Sequence, residues 1–327
     1  MLNSAAQTVV LAQDDIVAKE SVVLEQKAEH EHEQEAADEA APAKEEAELA
    51  ASVTASGTCG DNLTWTLYDD GELVIDGKGK MYDYSISSTN CAPWYDYRES
   101  LKKITIGDEV ASIGDYAFYK CTDLTSVDFA NVSSIGSAAF LSCTGLTSVD
   151  FANVSSIGDH AFADCIGLTS VDFANVSSIG DSALAGCTGL TSVDFANVSS
   201  IGDSAFDDCT GLTSVDFANV SSIGGYAFDS CTGLTSVIIP ESVKSIGIYA
   251  FKYCSNLAKV TVYSRDVSYV IDVFYRCPST LTLYGYTGST TEAYAEKYDI
   301  PFVALAEREI IASGTCGDNL TWTLYDD

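Results

Sequence analysis

Three hundred and twenty-seven residues, 46% hydrophobic and 20% charged, suffice for two ordinary domains or one long repeat array, and most of the chain can bury a core. Acidic residues outnumber basic ones 48 to 16, and the net charge of -32 argues against sequence-independent binding to nucleic acid, which needs clustered Lys and Arg, and against docking on anionic lipid. No stretch approaches the ~18 continuous apolar residues of a membrane helix, so direct membrane insertion is not expected.

Residues 1–54 hold 13 Asp or Glu against Lys19, Lys27 and Lys44, with no Gly, no aromatic and one Pro. A segment so poor in apolar surface cannot offset its ordering entropy, and reads as an acidic Glu/Ala-rich spacer, disordered or partly helical. Its first twelve residues, MLNSAAQTVVLA, are mildly apolar but lack the basic start of an intact export signal. His30 and His32 lie in this segment and make no defined metal site.

From Ser56 the pattern becomes β. Trp65 and Leu67, then Asp69-Asp70-Gly71, then Leu73, Val74 and Ile75 predict strand, turn, strand, so residues 55–100 are expected to form a β-hairpin cap. A Tyr-rich link follows (Tyr82, Tyr84, Trp94, Tyr95, Tyr97), of which Tyr82, Tyr84 and Tyr95 are expected to be exposed anchors.

Repetition governs the centre. TSVDFANVSSIG occurs five times, at 125–136, 147–158, 169–180, 191–202 and 213–224. Cys121, Cys143, Cys165, Cys187, Cys209 and Cys231 are 22 apart, and Cys254 and Cys277 follow at intervals of 23. The extra residue lies in Val237–Gly247, one longer than VDFANVSSIG. A 22-residue unit encloses no core of its own, but Leu190, Val193, Phe195, Val198, Ile201, Phe206 and Cys209 recur at fixed places in each. Leu-x-x-Val-x-Phe matches the strand of a leucine-rich repeat, and stacked coils make continuous apolar columns. The predicted fold is an α/β repeat, β-rich: a right-handed leucine-rich-repeat solenoid of about eight 22–23-residue coils over 101–279, each with a short helical AF-x-x-C segment, behind the N-terminal hairpin cap.

These residues carry a resemblance. SGTCGDNLTWTLYDDGELVIDGKGKM with APWYDYRESLKKITI, the units SIG-x-x-AF-x-x-C, and YGYTGSTTEAYAEKYDIPFVAL at 284–305 resemble the cap, repeat and end of the BspA-like leucine-rich-repeat proteins. FANV in place of the longer Ile-Pro segment, and Leu184 in place of Phe, depart from that pattern. Residues 280–311 are then the C-terminal capping unit. Residues 312–327 repeat 55–70 letter for letter, which predicts a second, truncated copy of the cap. The resemblance implies secretion or cell-surface display and adhesion to extracellular matrix or cell-surface protein.

Strand alternation is expected to turn Thr, Ser and Asp of LTSVDF toward the concave face. That gives two columns as the candidate ligand-binding residues: Thr125, Thr147, Thr169, Thr191 and Thr213, and Asp128, Asp150, Asp172, Asp194 and Asp216. Stacked carboxylates suit a basic protein patch better than Ca²⁺, since a flat ladder does not wrap an ion with 6–8 oxygens. The periodic cysteines read as small buried hydrophobes, with Cys59 and Cys91 outside the ladder as the one plausible cap disulfide. Asn131, Asn153, Asn175, Asn197 and Asn219 are formal glycosylation acceptors but read better as turn residues. His160 stands alone, no nucleophile–base set is visible, and no cofactor, metal or catalytic residue is expected. The expected function, with the surface setting that the resemblance implies, is non-catalytic recognition or adhesion to host matrix or other cell-surface proteins through the concave face; the alternative is a structural scaffold or spacer array carrying a domain lost beyond the C-terminus.

Overall fold

The computed structural model describes residues 51–307, 310–317 and 320–325. The acidic spacer up to residue 50, with its two histidines, lies outside the described residues.

The cap begins with β1 (Val53–Gly60), β2 (Leu63–Tyr68) and β3 (Glu72–Gly77). β1 and β2 are antiparallel, as are β2 and β3, where Leu67 faces Leu73 across the Asp-Asp-Gly turn. Gly71 sits there at φ +92, a conformation that a Cβ disfavours. β3 then changes partner and runs parallel to β5 (Lys103–Ile106), with Leu73 beside Ile104 and Ile75 beside Ile106. The first coil therefore inherits its register from the cap. β4 (Gly79–Lys80) starts a second sheet by pairing with β6 (Val110–Ile113).

Each coil thereafter has three sides. One is a long strand, such as Ser148–Asp150, and the next a short strand, such as Ser156–Ile157. Nine long strands run from β5 to Thr282–Gly285, and eight short ones from β6 to Ser268–Tyr269. Neighbouring coils align like on like, Val149 on Val171 and Ile157 on Ile179. The short-strand sheet is continuous, whereas the long-strand ladder is interrupted after Ser170–Asp172 and again after Ser214–Asp216.

The third side, AF-x-x-C, corrects the expected short helix. It is a run of turns in which two residues per coil adopt left-handed backbone, for example His160 at φ 57 and Asp164 at φ 58. A left-handed residue cannot continue a right-handed helix. Alternate N–H groups instead donate to the next coil: His160 to Asp181 O (2.8 Å), Phe162 to Ala183 O (2.8 Å) and Asp164 to Ala185 O (2.7 Å). Stacking between coils is tight here. A Cβ on Gly158 would fall 2.8 Å from the Gly136 carbonyl carbon, which explains why every SIG triplet ends in Gly.

The core is a set of columns. Phe118, Phe140 and Phe162 stack at 5.0 and 5.1 Å, and Phe129, Phe151, Phe173, Phe195 and Phe217 at 5.7–5.9 Å. Such ring pairs add about 0.5–1.5 kcal/mol each beyond area burial. Leu184 occupies the break in the first column and is fully buried. Each cysteine Sγ from Cys143 to Cys277 donates to a carbonyl of the coil before, as Cys143 does to Phe118 O (3.1 Å) and Cys165 to Phe140 O (3.2 Å). Burial pushes up the thiols of Cys143, Cys165, Cys187, Cys209 and Cys231, that of Cys209 to about 12. Cys59 and Cys91 are free thiols.

Both ends of the columns are covered. Trp94 stacks on Phe118 (5.5 Å) and its indole N–H donates to Ala117 O (2.7 Å). At the other end, α1 (Thr290–Tyr298) packs Tyr294 edge-on to Phe274 at 6.0 Å. Ser289 caps α1 by accepting from Glu292 N (3.3 Å), and Asp299 ends it at φ 53. Phe302–Ala304 then adds a last parallel strand beside Thr282–Gly285. Residues 310–317 and 320–325 pair with the register of β1 and β2, Ala312 facing Leu324 as Ala55 faces Leu67.

Candidate binding face

On the long-strand side, Ser126 and Asp128 are exposed and flank buried Val127, and the same triplet recurs in the following four coils. All five aspartates and all five threonines of the expected columns are exposed. Their roles differ. Thr125 and its equivalents precede the strand, so alternation does not apply to them. The hydroxyls of Thr147, Thr169, Thr191 and Thr213 donate to the carbonyl of the threonine one coil back, at 3.0–3.5 Å. The threonine column is thereby partly consumed in holding the stack together.

The aspartates keep more capacity. In Asp128, Asp150, Asp172 and Asp216 one oxygen, Oδ1, accepts from the N–H two residues on, at 2.8–3.1 Å. That bond fixes the carboxylate and leaves Oδ2 facing solvent. Asp150 pairs with Asp172 and Asp194 with Asp216 across parallel strands, a spacing of ~4.7–4.9 Å. Like charges so placed are unfavourable by roughly 0.2–1 kcal/mol per pair. Between Cys121 and Val243 there is no Lys or Arg to relieve them, against fourteen Asp and Glu.

Other recurrent polar groups are structural. Asn131 donates its amide to Asp108 O (3.1 Å) and Asn153 to Ala130 O (2.6 Å), and Asn175, Asn197 and Asn219 bond in the same way to Ala152, Ala174 and Ala196. The nitrogen that a glycan would modify is thus the donor of an inter-coil ladder. Asp159, Asp181 and Asp203 each accept the N–H at the same place in the next coil, at 2.6–2.9 Å.

Two features escaped the sequence reading. The face changes beyond Asp216: the position of the aspartate is taken by Ile238, then Thr261, Tyr284 and Val303, aligned across four parallel strands. A wider groove of about 660 Å³ opens beside it at the corner of the longer coils, lined by Pro240, Glu241, Lys244, Tyr263, Arg265 and Tyr286. Arg265 lies 4.2 Å from the Tyr286 ring centroid and bonds to Glu307. The change of period from 22 to 23 marked this place.

The second feature lies on the turn side. Lys252 Nζ donates to Asp229 Oδ2 (3.0 Å) and sits 5.1, 5.5 and 4.8 Å from the ring centroids of Tyr226, Tyr249 and Tyr253. The Asp229 hydrogen bond raises the Lys252 ammonium above its usual range. Asp207, one coil back, is pushed up to about 6 by burial and then by Asp229 and Asp208. Nothing in the 22-residue spacing announces this cluster, because it is made by departures from the repeat.

In the cap, Tyr82 is 47% exposed and donates to Asp61 Oδ1 (2.9 Å), whereas Tyr84 does not stand out as an anchor. It is half-buried, packs at 6.0 Å against Trp94, and burial raises its phenol. Tyr95 is half-buried too and is covered by the Arg98 guanidinium at 4.2 Å. Among the described residues, no three His, Cys, Asp or Glu converge on a metal-sized space, and no helix is long and apolar enough to cross a membrane.

Solved structures with a similar course include a leucine-rich repeat protein from Bacteroides ovatus ATCC 8483, 21% identical over 75% of this chain and 76% of that one, with a TM-score of 0.48. A leucine-rich repeat protein from Eubacterium ventriosum ATCC 27560 is 21% identical over 71% and 78%, with a TM-score of 0.39. A leucine rich cell surface protein from Faecalibacterium prausnitzii A2-165 is 21% identical over 77% and 95%, with a TM-score of 0.34. No curated protein matches the chain. The family model of the BspA type leucine rich repeat region matches residues 94–210 and 177–294 in six copies. With columns, caps and period all in agreement, the chain belongs to the BspA-type leucine-rich repeat family.

Proposed function

We propose that this protein is a non-catalytic recognition protein of the cell surface, binding extracellular matrix or other cell-surface proteins through the long-strand face. One observation carries the reading: five exposed carboxylates, one at the same place in each of five successive coils, four of them oriented by a backbone N–H and each with an oxygen left for a partner. A basic protein patch supplies the charge that this column lacks. An extended face built from coils is what solenoids offer to partners.

The test has two arms. Protease shaving of intact source cells should release peptides from residues 124–256; their release only after lysis would remove the surface assignment. Binding of the purified chain is then measured against immobilised matrix and cell-surface proteins at several salt concentrations. Asp150→Asn, Asp172→Asn and Asp194→Asn together should weaken binding about tenfold or more and flatten its salt dependence, since each exposed charge contact is worth up to ~1 kcal/mol. Unchanged affinity in the triple variant would sink the assignment of the face.

A further inference from the structure

The aspartate column ends at an apolar patch. Ile238 is 55% exposed, Val303 43% and Tyr263 38%, and the first two share a row with Thr261 and Tyr284. A pocket of about 200 Å³ lies among Ser236, Ile238, Lys259, Thr261, Tyr263 and Tyr284. That is smaller than the ~300–1,000 Å³ of a site for a drug-sized molecule, but of the size to receive one apolar side chain of a larger partner. Its walls are held in place: Lys259 Nζ sits 4.7 Å from the Tyr284 ring centroid, and Thr261 is buried beneath its neighbours.

Position decides what kind of partner fits. Asp216 and Ile238 hold the same place in successive coils, so the last carboxylate stands in the coil next to the patch. On that side there is no Lys or Arg as far back as Cys121. On the other side cations begin, with Lys244, Lys259 and Arg265. The row thus has a negative end and an apolar end, and a cation beside the pocket.

We infer that Ile238, Tyr263 and Tyr284 form the anchor pocket of the binding face, and that its occupant is a basic polypeptide segment with one large apolar side chain at its end. The apolar residue seats in the pocket while Lys or Arg residues lie along Asp216, Asp194 and Asp172. Lys259 disfavours a cation over the pocket itself, so the segment binds in one direction. Five aspartates at one per strand cover about 19 Å, the reach of roughly six extended residues. Anchor residues in small desolvated pockets carry most of the energy in protein interfaces, and flanking charges set orientation and on-rate.

This rests on the long-strand face being the binding surface, and the experiment separates the two claims. Two fluorescent peptides of alternating Lys and Gly, one ending in Leu and one ending in Ser, are titrated by anisotropy at 0.15 M salt. The Leu peptide should bind about tenfold tighter, as burial of one such side chain allows. Ile238→Ser should abolish that advantage and leave the Ser peptide unchanged, and Tyr263→Ala should do the same from a different wall. Asp172→Asn with Asp194→Asn should weaken both peptides alike. If the two peptides bind equally to the native chain, or the advantage survives both pocket variants, the anchor is wrong while the acidic face stands. If neither peptide binds, the acidic reading fails and takes the anchor with it.

Discussion

Asp207 shows how one substitution in a repeat acquires chemistry. Its counterparts in the three preceding coils are Leu141, Ala163 and Ala185, all compatible with a half-covered position on the turn side. A carboxyl placed there loses water on one side and faces Asp229 and Asp208, and only Lys252 works in the opposite direction. Its folded value of about 6, against the ordinary 3.8 of an aspartate, means that the native chain holds a proton which the unfolded chain has already lost between those two values. Stability therefore falls as pH rises from about 4 to 6 through this group, and the ionised form is unfavourable above that window. Asp207→Asn should raise the urea midpoint at pH 7, by well under the full linkage value because the side chain is half-exposed. It should leave the midpoint at pH 4 nearly unchanged. Equal midpoint shifts at the two pH values would show that the group titrates normally. Cysteine represents the opposite case, in which the repeat position is filled as the spacing suggested. Its burial was legible from period and residue type, but the Sγ–carbonyl bond one coil back was not, since no sequence rule reports where a carbonyl of another coil points.

Among the elements, the turn run is where the sequence reading went wrong. AF-x-x-C has the apolar spacing of a helical turn, and a short apolar motif cannot distinguish i→i+3 turns from a helix. Inter-coil hydrogen bonding decided it: alternate N–H groups are donated to the following coil, and left-handed residues are needed to aim them. These positions are mostly not Gly. Ser182 and Ser204 stand at φ 53 and 55, whereas Gly186 fills the second left-handed position of its coil at φ 72. A left-handed L-residue costs about 1–2 kcal/mol, partly offset in a Gly variant by the entropy of the unfolded chain. Ser204→Gly should therefore stabilise the protein by a few tenths to ~1 kcal/mol. Ser204→Val should destabilise it, because a β-branched side chain is least tolerant of positive φ. Urea unfolding of both variants checks the sign. A Gly variant no more stable than the Val variant would mean that this backbone relaxes out of the left-handed region. The long strands were easier to read, since Val127 between exposed Ser126 and Asp128 is plain alternation. The inclusion of Thr125 in that alternation was the misstep, because the strand starts one residue later.

Across the whole molecule, the fold was legible because it is written many times over: period, cysteine spacing and SIG glycines each specify the coil independently. The proposed binding face was legible only in its repeated half. Ile238, Tyr263 and Tyr284 lie where the repeat decays, and a signal found by counting copies is silent about positions that occur once. The same modularity makes a strong demand on stability. If each coil contributes its own folding term and one interface with each neighbour, whole coils are exchangeable and half coils are not. Deleting residues 159–180 joins Gly158 to Asp181 and recreates the Gly-Asp junction already present at 158–159. The columns of Phe, Val, Ile and Cys then close over the gap with like still on like, and the Gly158 backbone meets the following coil as Gly180 did. The shortened chain should fold with a far-ultraviolet spectrum of the same shape. Its urea m-value and stability should both fall by about one coil's share, because m follows the surface exposed on unfolding. Deleting only 159–169 removes the same chemistry in half the length, but it sets turn residues against strand residues in every later coil. That variant should not unfold cooperatively. If both deletions unfold alike, the stack tolerates loss of register, and the coil-by-coil account of its stability would have to be abandoned.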